Sequence, residues 1–312
     1  MIHQLTQPRF DVYPAIPETF LEKVFRPKRS YQARQNRAVV RMVQRRRRLT
    51  GSTNSPVPLD APVLLDAKDI KKSYGAIHAL RGVDLRIHQG ETIALVGDNG
   101  AGKSTLVKIL SGAVQPTAGE ITFDGKPARI TSTDVARSLG IETVYQDLGL
   151  CDNLTVADNV FLGREKVRKL GPFHLLDKRG MRRAVDGALE GLSINVPRAD
   201  ANVAGLSGGQ RQAVALARTK LWRSALVLLD EPTAALGVQE TKRAMDNVRK
   251  LQEQGVAIVL ITHNMPMVME MSQRVVVLRH GSKVGDVPTA SLSGDDIVSL
   301  ITGARQQWIH AA

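Results

Sequence analysis

Ile93-Ala94-Leu95-Val96-Gly97-Asp98-Asn99-Gly100-Ala101-Gly102-Lys103-Ser104-Thr105 is the stretch whose reading decides the fold. A short apolar run suited to a buried strand gives way to a glycine-rich turn and then to helix-forming residues. Gly97, Gly102, Lys103 and Ser104 stand at the fixed places of G-x-x-x-x-G-K-[ST], the P-loop. Phosphate oxygens must approach successive backbone N–H groups, and side chains there would be in the way. The helix that follows turns its positive end toward the same phosphates. Lys103 adds a mobile cation for the β- and γ-phosphates, and Ser104 a hydroxyl for Mg²⁺. Asp98, Asn99, Gly100, Ala101 and Thr105 complete the expected cradle for a nucleoside triphosphate. A glycine-rich turn that carries Lys-Ser by chance is the competing reading, and it does not explain the strand before and the helix after.

Moving outward, Ala225 to Leu229 is an unbroken apolar run, as expected of a parallel strand buried on both faces. It ends in Asp230-Glu231, where a P-loop hydrolase places its metal and its base. Asp230 is expected to hold Mg²⁺ through a water, and Glu231 to polarise the attacking water. Val256 to Ile261 is a second such strand, and His263 follows it on the same carboxyl edge of the sheet. Upstream, Val63-Leu64-Leu65 opens a strand that turns after Tyr74, Val83 to Ile87 alternates, and Gly119 to Phe123 ends at a hairpin signal, Asp124-Gly125. Ile141 to Tyr145 reads as another strand, ending at Gln146. Val156 to Leu162 and Arg179 to Leu192 have helical periodicity, with Arg179, Arg182 and Arg183 as a solvated face. Leu206-Ser207-Gly208-Gly209-Gln210 then precedes helical spacing from Arg211 to Leu221, and Val238 to Gln254 is helical. Arg274 to Leu278 and Ser282 to Val284 are short strands, and Asp295 to Ile301 is a final helix.

Composition sets bounds. Of 312 residues, 43% are hydrophobic and 4% aromatic, and the longest apolar run falls far short of the roughly 20 residues that span a bilayer. The first residues carry no secretory signal, and one cysteine, Cys151, excludes an intrachain disulfide, as suits a reducing compartment. The net charge of +13 is uneven: residues 1–62 hold twelve Lys and Arg against four Asp and Glu, which accounts for +8 of it. A nucleic-acid partner therefore does not follow from overall charge, and none is expected for the folded part. The segment itself has three readings. It is a solvated tail, a basic helix on anionic lipid through Arg34, Arg37, Arg41, Arg45 and Arg48, or a nucleic-acid arm without interleaved aromatics.

Taken in order, these motifs resemble the ATP-binding subunit of an ABC transporter over about residues 63–305. By that resemblance Tyr74 stacks on adenine, Gln146 is the Q-loop glutamine that also reaches the metal, and Ser207, Gly208, Gly209 and Gln210 form the signature motif. Leu226 to Glu231 is the Walker B strand and His263 the switch histidine. Thr233 to Val238 and His263-Asn264-Met265-Pro266 resemble the simple-sugar importers of the ribose, xylose and fructose type. Gly237 departs from the wider family, which has aspartate at that point of the D-loop.

The resemblance implies an α/β fold: a P-loop NTPase core of mainly parallel sheet, an antiparallel β subdomain and a helical subdomain inserted at about 150–205. It implies a basic N-terminal extension and linker over 1–62 and one cassette over 63–312. It implies an ATPase using ATP and Mg²⁺, with Glu231, His263 and Gln146 catalytic and Ser104, Gln146 and Asp230 about the metal. Its partners are a second copy of the chain, whose Ser207 and Gly209 reach the first copy's ATP, two transmembrane permease subunits and, indirectly, a periplasmic sugar-binding protein. Such a subunit lies on the cytoplasmic face of the bacterial inner membrane. Two alternatives stand beside this: a soluble ATPase acting on nucleic acid or ribosomes, and the ATPase of an exporter. The first lacks heptad segments between P-loop and signature, and the second finds no fused membrane domain.

Overall fold

A computed structural model describes residues 61–145, 148–170, 173–190, 198–234 and 237–309. The basic segment before residue 61 and Gln146 lie outside the described residues.

The chain opens with strands β1 (Val63–Tyr74) and β2 (Ile77–His88), paired antiparallel. β3 (Thr92–Val96) is buried along its whole length and runs straight into helix α1 (Lys103–Leu110) through the glycine-rich turn. β4 (Ala118–Phe123) and β5 (Lys126–Pro127) form the hairpin signalled by Asp124-Gly125, with Phe123 opposite Lys126. Helix α2 (Thr133–Leu139), capped by the Ser132 side chain and ended by Gly140, leads into β6 (Ile141–Val144).

The insertion follows. It holds α3 (Val156–Phe161), a hairpin of β7 (Val167–Leu170) and β8 (Phe173–Leu176), α4 (Lys178–Leu189) and α5 (Gly208–Leu221). The last elements are β9 (Leu226–Asp230), α6 (Val238–Glu253), β10 (Ala257–Ile261), α7 (Met265–Met271), β11 (Arg274–Arg279), β12 (Ser282–Pro288), α8 (Gly294–Thr302) and β13 (Trp308–Ile309).

The large sheet has the order β13-β12-β11-β3-β10-β9-β6, and its five central strands from β11 to β6 are parallel. The smaller sheet, β2-β1-β4-β5, is antiparallel. Alternation explains the packing. In β9 and β10, Leu226, Leu228, Ala257, Val259 and Ile261 join α1 and the antiparallel sheet in one core, while Val227, Leu229, Ile258 and Leu260 join α5, α6 and α7 on the other face. Each fully buried leucine or isoleucine here contributes roughly 2 kcal/mol by leaving water. A third core, built on Phe161, Met181, Val185, Val203 and Val214, holds the insertion together, and Phe161 meets Trp222 edge-on at 5.3 Å.

The expected fold class is what the strand order displays. Several features were not anticipated, helix α2 and the short strand β13 among them. The β7–β8 hairpin sits inside a segment read as purely helical, because two four-residue runs separated by Gly171-Pro172 give no periodicity long enough to register. Helix α7, with Pro266 in its first turn and an Asn264 cap, is too short for a moment to stand out. Helix α4 ends at Leu189, short of the Leu192 read from sequence, which lies outside the described residues. No helix among the described residues is long and apolar enough to cross a membrane.

Candidate active site

The site begins where β3 ends. Gly97 has φ 151°, and a Cβ on it would lie 2.2 Å from the Leu278 carbonyl of β11, so only glycine fits. Gly102 has φ 104° and caps α1 without a side chain; a Cβ there would meet the Ala79 carbonyl at 2.7 Å. The first amides of α1 are thus left bare, with no side-chain cap competing for them. Within the turn the Ala101 N–H donates to the Asp98 carbonyl at 3.1 Å, and the Asn99 N–H to the Asp98 side chain at 2.7 Å. Lys103 Nζ donates to the Gly97 and Asp98 carbonyls at 2.7 and 2.9 Å, which aims its ammonium back over the turn. Partial burial lowers the Lys103 pKa, and the charges of Glu231, Asp98 and Asp230 oppose that shift.

Those carboxylates arrive by topology. β9 and β10 are parallel neighbours in which Asp230 stands opposite Ile261, so the residues just beyond the two strand ends meet. Glu231 has φ +50°, a left-handed backbone that costs a glutamate of order 1 kcal/mol or more. Its N–H is held by the Ile261 carbonyl at 2.9 Å, and its Oε1 lies 2.9 Å from His263 Nδ1. His263 is otherwise open to solvent, its side chain 85% exposed against 17% for Glu231. Burial, then the neighbouring Glu231 charge, raise the pKa of Asp230, while Lys103 and Lys108 pull it down. An anionic pair facing a bare helix N-terminus and one lysine is a site with its cations undersupplied, which suits a divalent metal carried with a phosphate chain.

The second motif is built differently. Ser207 caps α5: its hydroxyl accepts the Gln210 N–H at 3.3 Å, and Gln210 Oε1 accepts the Ser207 N–H at 3.0 Å, a reciprocal capping box. No hydrogen bond or ion pair joins Ser207, Gly208 or Gly209 to the P-loop among the described residues. Tyr74, at the end of β1, is 47% exposed, and Lys72 Nζ lies 5.1 Å from its ring centroid.

A sequence profile described as ABC transporter matches residues 80–234. The xylose/arabinose import ATP-binding protein of Sulfolobus acidocaldarius is 42% identical over 239 residues, 77% of this chain and 94% of that protein. The fructose import ATP-binding protein of Rhizobium meliloti is 42% identical over 248 residues, 78% of this chain and 95% of that one. The chain belongs to the ABC transporter ATP-binding family. Among solved structures, a dimeric ATP-binding cassette in a post-hydrolysis state with ADP and Pi superposes with TM-score 0.62 at 26% identity, over 72% of this chain and 99% of that one.

As an ABC ATP-binding protein the chain is an ATPase. Its P-loop, Asp230, Glu231 and His263 gather at one sheet edge, whereas Ser207 and Gly208 are exposed at the start of α5. Two residues that motif reading missed tie these parts together. Buried Gln212 of α5 donates from Nε2 to the Pro232 carbonyl, next to Glu231. Glu240 of α6 accepts the Gly237 N–H at 3.3 Å and is the side chain that a Cβ on Gly209 would meet, at 3.4 Å. No local sequence signal pointed to the first, since Gln212 follows Gln210 and Arg211 at the polar start of the helix.

Proposed function

We propose that this ABC ATPase drives import of a monosaccharide, hydrolysing ATP as one of two identical cassettes docked on two permease subunits that a periplasmic sugar-binding protein supplies. The observation that carries the reading is the near-complete overlap, at 42% identity, with ATP-binding proteins named for xylose/arabinose and fructose import. An exporter or nucleic-acid ATPase has no comparable support. The work site is the cytoplasmic face of the inner membrane, with the chain held there through its permease.

The residues divide the task. The amides of Gly97 to Thr105 and the Lys103 ammonium bind the triphosphate, with Tyr74 against the base. Mg²⁺, held by Ser104 and by Asp230 and Gln146 through water, would neutralise charge that builds on the phosphates. Glu231 accepts the proton of the attacking water. His263 fixes its carboxylate, with Nδ1 held 2.9 Å from Glu231 Oε1. Gly208 and Gly209 deliver bare amides, and Ser207 its hydroxyl, to the ATP of the partner copy, with Gln210 closing the cap. Reconstitution with the neighbouring permease and binding protein tests this. ATP turnover should rise with one pentose or hexose of a sugar panel, and a complex indifferent to every sugar would refute the import reading.

A further inference from the structure

The insertion that carries the signature helix is fastened to the catalytic sheet by a buried ion cluster for which the motifs give no use. Glu142 lies on β6, the strand paired with β9, and only 8% of it is exposed. Its carboxylate bonds Arg164 Nη2 at 2.8 Å, just past the end of α3, and lies 4.0 Å from Arg137 Nε of α2. Arg218 of α5 acts on the same carboxylate through space. Arg164 in turn stacks on Trp222, 4.7 Å from guanidinium to ring, directly beyond the end of α5. One carboxylate therefore draws together three guanidiniums from three helical elements, two of them in the insertion. Four residues beyond Glu142 along the chain is Gln146. Further along the chain Asn159 of α3, fully buried, accepts the Cys151 N–H at 2.7 Å and donates to the Cys151 carbonyl at 2.9 Å. The segment between sheet and insertion is thus pinned at both ends.

We infer that Glu142 and Arg164 are positioning residues that set the angle of α5 against the β9 edge, so that Ser207 and Gly209 meet the partner copy's ATP in register with Glu231. The physical ground is that a charge-assisted hydrogen bond to a buried carboxylate, made by a planar guanidinium that also lies on Trp222, fixes direction as well as distance, which apolar packing alone does not. Three cations on one anion also make the carboxylate indispensable: without it the guanidiniums repel one another and the joint opens. The inference rests on the proposed two-cassette mechanism.

Glu142→Gln and Arg164→Lys in the full chain test it, the lysine keeping the charge while losing the fork. Binding of ATP to the P-loop, read as KM and by a fluorescent ATP analogue, should stay within about twofold of the unaltered chain, while kcat and ATP-dependent dimer formation fall about tenfold or more. The double variant should lose no more than the worse single one, since both break one joint. If Glu142→Gln does not fold, Arg164→Lys carries the test alone. Folded variants with unaltered kcat, or with nucleotide binding and kcat lost together, would overturn the inference. Failure of the unaltered chain to dimerise with ATP would instead sink the two-cassette mechanism.

Discussion

The P-loop and the signature turn both stand at a helix N-terminus to which the proposed function gives a phosphate, yet they are built to opposite specifications. The P-loop is wedged between β11 and the β2 hairpin, its glycines in left-handed or extended conformations that no other residue can copy at that spacing. The signature turn has ordinary backbone angles at Gly208 and Gly209, is closed by a capping box, and leaves Ser207 and Gly208 on the surface. One is a finished half-site that the fold cannot do without. The other is a presented edge that the fold barely needs, and its glycines serve whatever docks there. That contrast predicts which substitutions damage the protein and which damage only its work.

The largest effect belongs to the residue the P-loop side supplies for chemistry. Glu231→Gln should lower kcat by about 10²- to 10⁴-fold with ATP binding retained, measured by turnover and equilibrium binding. A full-speed Glu231→Gln variant would remove the base from the mechanism. Next comes the wedge. Gly97→Ala should cost about 3 kcal/mol of stability, because the added methyl collides with the Leu278 carbonyl at a φ that alanine avoids. Denaturant unfolding reads that loss directly. Gly209→Ala meets only the flexible Glu240 side chain, its nearest atom at 3.4 Å, so stability should change by less than about 1 kcal/mol. Turnover should nonetheless fall about tenfold or more, since a methyl pressed against Glu240 shifts the turn that the proposed dimer sets against the partner's ATP. Equal stability losses at Gly97 and Gly209 would erase the contrast.

The same contrast explains what could be read from the sequence. The P-loop, Asp230-Glu231 and His263 were legible because their chemistry needs fixed residue types at fixed spacings beside strands that are apolar throughout. The parallel core was legible for the same reason, with Leu226 to Leu229 and Ala257 to Ile261 hydrophobic at every position. The β7–β8 hairpin was not, since Phe173, Leu175 and Leu176 are exposed and follow no buried face. Nor were the fasteners. Glu142 sits in a strand otherwise apolar but for Thr143, and its partner Arg164 is over twenty positions away, a separation that carries no local pattern. Gln212 reaches Pro232 for the same reason of tertiary distance.

The two motifs are also anchored differently against pH. The strand that feeds the P-loop is preceded by Glu91, which accepts hydrogen bonds from His88 and from both Arg274 Nε and Nη2, at 2.7 and 3.0 Å for the latter pair. Burial alone would raise its pKa, but the bonds from His88 and Arg274 and the Arg274 charge outweigh it and bring the value from 4.5 down to about 2. A depressed carboxylate pKa stabilises the fold above the unfolded-state value and ceases to do so as pH falls through the folded one. Stability contributed here should therefore be intact above about pH 5 and drain away between there and about pH 2. In Glu91→Gln that portion of the acid unfolding curve should flatten, and an unchanged curve would show that Glu91 carries no such linkage.

The smallest effect separates the cap from the amides it exposes. The Ser207 hydroxyl satisfies the Gln210 N–H, and in the proposed dimer it also faces the partner's γ-phosphate. Ser207→Ala removes the cap and should cost about 1 kcal/mol of stability, whereas Ser207→Gly should cost only a few tenths, since glycine tolerates the N-cap position. Gln210→Ala removes the other half of the box, the acceptor of the Ser207 N–H at 3.0 Å, without touching the hydroxyl. If the box only shapes the turn, Ser207→Ala and Gln210→Ala should lower turnover alike and in proportion to stability. If the hydroxyl also meets phosphate, Ser207→Ala should cost more turnover than Gln210→Ala at matched stability, and that excess is the measure of what the presented edge gives to the partner's site.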